Sequence, residues 1–237
     1  PGTYVGPTAT LVTADDDNWN LLGNPYPSAI SATDFLAANP GISGFVKVWS
    51  HGTLPVSVVD PFYQDFVLNY TTSDYITTNG VGSTPPGYDG RIGAGQGFFV
   101  LMNHATATPG TVVFNNTMRS NAYRNDQFYR SDDEKNRIWL SIISPSNTSI
   151  TTLVGYVTDA TNNLDNIYDA IAQGVKTNFE LYSIADSQEL IIQGRSLPFN
   201  QNDEVPLGVS IPQNGIYTIA ISNVDGLFTD LSQDIYI

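Results

Sequence analysis

The chain of 237 residues contains no cysteine. Disulfides, thiolate nucleophiles and cysteine-ligated zinc are therefore excluded, and its stability must come from a packed core. Histidine is nearly missing as well: the two imidazoles are His51 and His104, and neither lies in a His-Glu-x-x-His metal motif or a Gly-x-Ser-x-Gly elbow. A hydrolase would need folding to carry one of them to a carboxylate, and the chain is expected to be non-catalytic. Basic residues are also scarce, with nine Lys and Arg against 23 Asp and Glu and a net charge of −14. Such a charge repels phosphate backbones and anionic headgroups, so neither nucleic acid nor direct membrane binding is expected. No apolar run approaches the roughly 20 residues of a membrane helix. No basic-then-apolar leader opens the chain, which begins at Pro1 rather than Met and reads as a fragment or mature piece.

Apolar residues make up 41% and charged residues only 14%, leaving Ser, Thr, Asn, Gln and Gly to cover the surface, a β-rich extracellular habit. The most structured stretch, Trp19-Asn20-Leu21-Leu22-Gly23-Asn24-Pro25-Tyr26-Pro27, reads as a buried strand stopped by two prolines that fix φ. Ser31 or Thr33 can cap a short helix that ends before Pro40-Gly41. Strands are expected at Phe45 to Trp49, Leu54 to Val59, Phe62 to Tyr70, Phe98 to Met102 and Thr111 to Phe114, with a long turn-rich connection from Thr71 to Arg91. After a polar junction at Asn115 to Asn136, strands are expected at Arg137 to Ile143, Thr151 to Thr158, Glu180 to Ser183, Glu189 to Gln193, Val205 to Ser210, Gly215 to Ser222 and Asp234 to Ile237. A helix is expected from Asn163 to Gly174, with Leu164, Ile167, Tyr168 and Ile171 on one face, Asn163 as its cap and Gly174 to close it. The fold class is all-β: two β-sandwich domains of jelly-roll or immunoglobulin-like type, residues 1–120 and 121–237, with one or two short helices. The last strand leaves an edge open to pairing.

Candidate sites are few. Gly93-Ala94-Gly95-Gln96-Gly97 lacks the Lys-Ser/Thr of a phosphate loop and enters a strand, so it reads as a tight turn. Oxygen-bearing residues alternate at Asp159, Asn163, Asp165 and Asp169, as in a Ca²⁺ loop. Leu164 and Ala170 stand where such a loop needs Gly and Glu, so capping of a turn is the plainer reading; no cofactor is required. Most aromatics belong to the core, Trp19, Trp49 and Trp139 included. Tyr63, Tyr70, Tyr75 and Tyr88, in or beside the long connection, are the candidates for contact with a glycan or a protein partner.

The Trp19-to-Ile30 stretch, followed by Gly95-Gln96-Gly97-Phe98-Phe99-Val100, Leu153-Val154-Gly155-Tyr156-Val157-Thr158-Asp159-Ala160-Thr161, Leu181-Tyr182-Ser183-Ile184 and Val205-Pro206-Leu207-Gly208-Val209, resembles the C-terminal region of large secreted Bacteroidetes (Flavobacterium-type) cell-surface proteins exported by the type IX secretion system. The matching part precedes the sorting domain. The resemblance implies a secreted, surface-attached module with a structural or adhesive role, served by the export machinery through flanking sequence. A carbohydrate-binding module and a subunit of an extracellular filament are the alternatives.

Overall fold

The computed structural model describes residues 4–9, 19–50, 74–103, 110–123, 136–172, 179–229 and 235–236, with 4–9 and 110 as backbone only. The protein is all-β. The first half contains β1 (Tyr4–Ala9), β2 (Trp19–Gly23), β3 (Ile30–Ser31), the single described helix α1 (Ala32–Ala38), β4 (Ile42–Trp49), β5 (Tyr75–Thr78), β6 (Ser83–Thr84), β7 (Arg91–Ile92), β8 (Gly97–Met102) and β9 (Gly110–Phe114). A five-stranded sheet runs β2-β8-β4-β5-β6, and β1 pairs with β9 in a separate ribbon. The Ser31 hydroxyl accepts from the Asp34 backbone N–H at 3.2 Å and starts α1, as its position before the apolar run led one to expect.

Alternation decides what each face of this sheet meets. Leu22, Phe98, Val100, Val46 and Val48 point to α1 and the β9 side, where Phe35 packs edge-on to Phe98 at 5.2 Å and against Phe114 at 5.1 Å. Asn39 bolts the end of the helix to β9: its amide donates to Val113 O at 3.0 Å and accepts from Val113 N at 2.7 Å.

The two stretches that stand out in the sequence lie side by side. Trp19 pairs with Leu101 and Gly23 with Gly97. Beyond the pairing, the buried Asn24 amide donates to the carbonyls of Ser28, Ile92 and Gly93 at 2.9, 3.1 and 2.9 Å, and its oxygen accepts from Tyr26 N at 3.0 Å. The double-proline turn is thus tied to the glycine turn by one side chain. Asn24→Ala is expected to cost about 3 kcal/mol, since the carbonyls of Ile92 and Gly93 lose their donor; a thermal melt with unchanged folded-state circular dichroism checks this.

The second half contains β10 (Asn136–Ile143), β11 (Ser149–Val157), β12 (Ala170–Ile171), β13 (Glu180–Ala185), β14 (Gln188–Ser196), β15 (Leu207–Ser210) and β16 (Thr218–Val224). They form a seven-stranded sheet in the order β15-β13-β14-β11-β10-β16, with β12 on β14. β11 and β14 are parallel, the other pairs antiparallel. The sheet curls: Leu181 of β13 clusters with Leu140 and Ile142 of β10, three strands away.

Every described strand pair stays within one half, yet the halves share an interior. Phe45, Val81 and Leu101 of the first cluster with Trp139, Leu153, Ala170 and Ile192 of the second, and the Trp139 indole donates to Ser83 O at 2.9 Å. Trp19 and Trp49 are only half-buried. Glycines set the approach. Gly155 and Gly194 are register partners on β11 and β14, and a Cβ on them would lie 2.3 Å from a Val81 methyl and 2.5 Å from Tyr168 Cβ.

Three sequence expectations change. The long connection is no open loop: β5 and β6 form a hairpin whose turn is closed by Asn79 N to Gly82 O at 3.0 Å, with Val81 fully buried at its tip. The helix expected at Asn163 to Gly174 is a single turn at Asn166–Tyr168 followed by β12. Its Asn- and Asp-rich sequence offers side-chain oxygens that compete for the backbone N–H groups a helix would use. Ile235 and Tyr236 lie outside any strand. The strands expected at Leu54 to Val59 and Phe62 to Tyr70 fall outside the described residues.

Candidate functional site

Register places Ile138, Leu140 and Ile142 (β10), Thr152, Val154 and Tyr156 (β11), Gln193 and Arg195 (β14), and Ile219 and Ile221 (β16) on one face of the seven-stranded sheet; packing on Leu140 and Ile142 adds Leu181 (β13) and Leu207 (β15), with their partners Val209 and Ser183. This is the concave face, turned away from the first half. It holds a cavity of about 470 Å³, floored by Ile138, Leu140 and Val154 and rimmed by Gln201, Asn202, Asp203 and Glu204. One wall is aromatic: Tyr156, Phe199 and Phe228 meet at ring-centroid distances of 4.9, 5.6 and 5.2 Å. Phe199 stands edge-on to both Tyr156 and Phe228, while Tyr156 and Phe228 are tilted by 48°, an arrangement that favours a fixed wall.

A closed polar network stands behind that wall. Arg195 donates through Nε to Asp203 Oδ2 at 2.7 Å and through Nη2 to Oδ1 at 2.6 Å, and the Tyr156 hydroxyl donates to Oδ2 at 2.8 Å. Burial pushes the Asp203 carboxyl up, but the hydrogen bonds from Arg195 and Tyr156 outweigh it and hold the group below the usual carboxylate range. The Tyr156 phenol is raised, by burial first and then by the carboxylate beside it. Both oxygens of Asp203 are engaged, so the network shapes the wall, and Ile235 packs against the cluster of Val154, Tyr156 and Phe228. On the same face the Gln193 amide and the Ser183 hydroxyl are fully buried with no hydrogen-bond partner among the described residues, at a cost of roughly 1–3 kcal/mol each.

The edges of the face stay exposed: Val209 45%, Ile211 45%, Ile216 86%, Ile219 38% and Ile221 41%. Monomer surfaces rarely gather apolar residues in this way without a use.

The residues nominated from sequence lie elsewhere. Tyr75 is half-buried, edge-on to Trp49 at 5.0 Å and to Phe99 at 5.7 Å. Tyr88 is a correction: it is buried and its hydroxyl donates to Arg91 O at 2.7 Å, so it serves the core rather than a ligand. Tyr63, Tyr70, His51 and His104 fall outside the described residues.

Of the oxygen series, Asp159 and Asn163 are exposed and Asp169 is buried. Asp169 Oδ1 accepts from Gly194 N at 2.9 Å and Oδ2 from Asp165 N at 2.6 Å, while Asp165 Oδ2 accepts from Thr161 N at 2.5 Å. The carboxylates cap the backbone of this loop and clamp it to β14. Among the described residues no group of three acidic or histidine side chains gathers to hold a metal.

The buried Asp169 carboxyl is pushed up from 3.8 to about 7, by desolvation first, against the two backbone N–H bonds that favour its charge. The folded state therefore holds this proton more tightly than the unfolded chain. The group's stabilisation is complete below pH about 4 and is lost as pH rises through about 7. Asp169→Asn is expected to remove that decline from melting curves taken between pH 5 and 8, while lowering stability at pH 5 because its amide can accept only one of the two N–H bonds.

The family model described as Domain of unknown function (DUF8693) matches residues 1–237, the entire chain. The chain belongs to the DUF8693 family. No curated protein and no solved structure matches it. The concave face of this DUF8693 domain is therefore read from its own chemistry: an apolar, aromatic-walled cavity with an acidic and amide-bearing rim.

Proposed function

We propose that this DUF8693 domain is a non-catalytic structural and adhesive module of a secreted, surface-attached bacterial protein, acting as a spacer and as a binding surface. The observation that supports this most is the concave face. Its aliphatic floor and aromatic wall suit the burial of apolar groups from a partner, and the Arg195–Asp203 ion pair on it is saturated internally. The shared interior of the two sheets supports the spacer role, since closely packed halves transmit force as one body.

The surface location rests on the resemblance to type IX cargo. Protease shaving of intact cells that produce the native protein, followed by detection of peptides from this domain, tests it. Release of these peptides from intact cells is the expected result. Recovery of the domain solely from the cytosolic fraction overturns the reading.

A further inference from the structure

We infer that the concave face and the free edge of β16 accept an extended segment of another polypeptide, with apolar residues at alternate positions and a net charge of zero or above. This deepens the binding-surface reading proposed above and rests on it.

Backbone hydrogen bonding comes first. β16 pairs with β10 along one edge, and among the described residues no strand pairs with the other. Its sequence, Thr-Ile-Ala-Ile-Ser-Asn-Val, holds no Pro, Lys, Asp or Glu, the residues with which natural sheets blunt an edge. Before the bulge at Ser222, Thr218 to Ile221 offer a regular run, within the usual length of a strand, to a partner.

Side-chain periodicity comes second. Ile219 and Ile221 are two residues apart, remain exposed, and sit beside Ile142 and Leu140 in register. A strand laid along β16 presents its own side chains at the same two-residue repeat, roughly 7 Å, and so sets one row beside both isoleucines on the concave side of the sheet. A small molecule filling the 470 Å³ cavity would leave the edge isoleucines in water.

Charge selects the partner. The run from Val205 to Val224 carries no charged residue in a chain of net charge −14. The contact strip itself repels nothing, but a second copy would bring a second −14. Glu204, exposed at the rim, favours a flanking Lys or Arg. The occupant is therefore a neutral or basic strand from a different chain.

The test is selection of a displayed library of random peptides, about nine residues long to match a typical strand, on the purified chain, with counter-selection on Ile219→Lys/Ile221→Lys. The expected result is enrichment of alternating apolar sequences flanked by Lys or Arg. Their binding should weaken about tenfold or more on the double variant and protect β16 amides from hydrogen exchange. Ile219→Thr/Ile221→Thr, which keeps strand propensity, serves should the lysines disturb folding, and is expected to weaken binding as well. Enrichment without alternation, equal binding to the variants, or dimerisation of the chain through β16 overturns the inference. The selection does not depend on cellular location. Enrichment of alternating peptides by a cytosolic protein would sink the surface reading alone, and failed enrichment by a surface protein would sink this inference alone.

Discussion

Gly44→Ala is expected to lower stability by about 3 kcal/mol and the melting temperature by roughly 6–12 °C. A Cβ at this position would lie 1.4 Å from the Asn166 carbonyl oxygen and 2.3 Å from its carbon. Those are backbone atoms, so no rotamer change relieves the clash. The loop that carries them cannot retreat cheaply either, because Asp169 fixes it to Gly194 and to its own Asp165 N–H, and Gly80 N donates to Ile167 O at 3.2 Å. The substitution drives the two halves apart at a close backbone approach, and the tryptophan fluorescence to which the buried Trp139 contributes should shift with it. Gly23→Ala, whose Cβ meets nothing within 4 Å, is the matched control and is expected to stay within about 0.5 kcal/mol. Equal effects of the two would mean that the halves do not meet as described.

Asp203→Ala is expected to destabilise by about 3–5 kcal/mol, because it strands a guanidinium whose side chain is only 7% exposed and removes the acceptor of the Tyr156 hydroxyl. An apolar replacement of both partners, Arg195→Met with Asp203→Leu, should recover most of that loss, since the cost lies in the uncompensated charge more than in the missing attraction. Chemical denaturation of Arg195→Met, Asp203→Leu and the two together closes the cycle. Wild-type stability should also fall in acid as Asp203 is protonated. Its folded pKa lies below the unfolded one, so its contribution is present above the unfolded value and is lost as pH drops through the folded value.

Local signals carried the first half well. Ser31 before an apolar run marked α1, and Trp19 to Leu22 with Phe98 to Met102 read as strands from their residue types. The bond that joins them was not legible: Asn24 looks like any residue before a proline, and only the fold brings Ile92 O and Gly93 O to its amide. Val81 was missed because a single apolar residue in a Gly-rich turn has no periodicity. Tyr88 was misplaced for the opposite reason, since Pro85-Pro86-Gly87 beside it suggested a surface loop, whereas its hydroxyl reaches back to Arg91 O.

Alternating oxygens at Asp159 to Asp169 are compatible with a cation loop and with a self-capped turn, and the choice between them depends on which N–H groups the fold brings within reach. Arg195, Asp203 and Tyr156 are scattered through turns and strands, so their network had no motif to reveal it. The concave face did leave a trace. The uncharged run from Val205 to Val224, with Val209, Ile211, Ile216, Ile219 and Ile221 along it, is unusual in so acidic a chain and marks the strip that remains exposed.

The most direct test of a binding surface on the second sheet is residue-resolved hydrogen exchange on the isolated chain. β16 and β15, each paired on one side among the described residues, should exchange faster than β10 and β11, which are paired on both, and the amides of Ile219 and Ile221 should slow when an alternating basic peptide is added. Protection of β16 equal to that of β11 in the free chain, unchanged by peptide, would contradict an open face awaiting a strand.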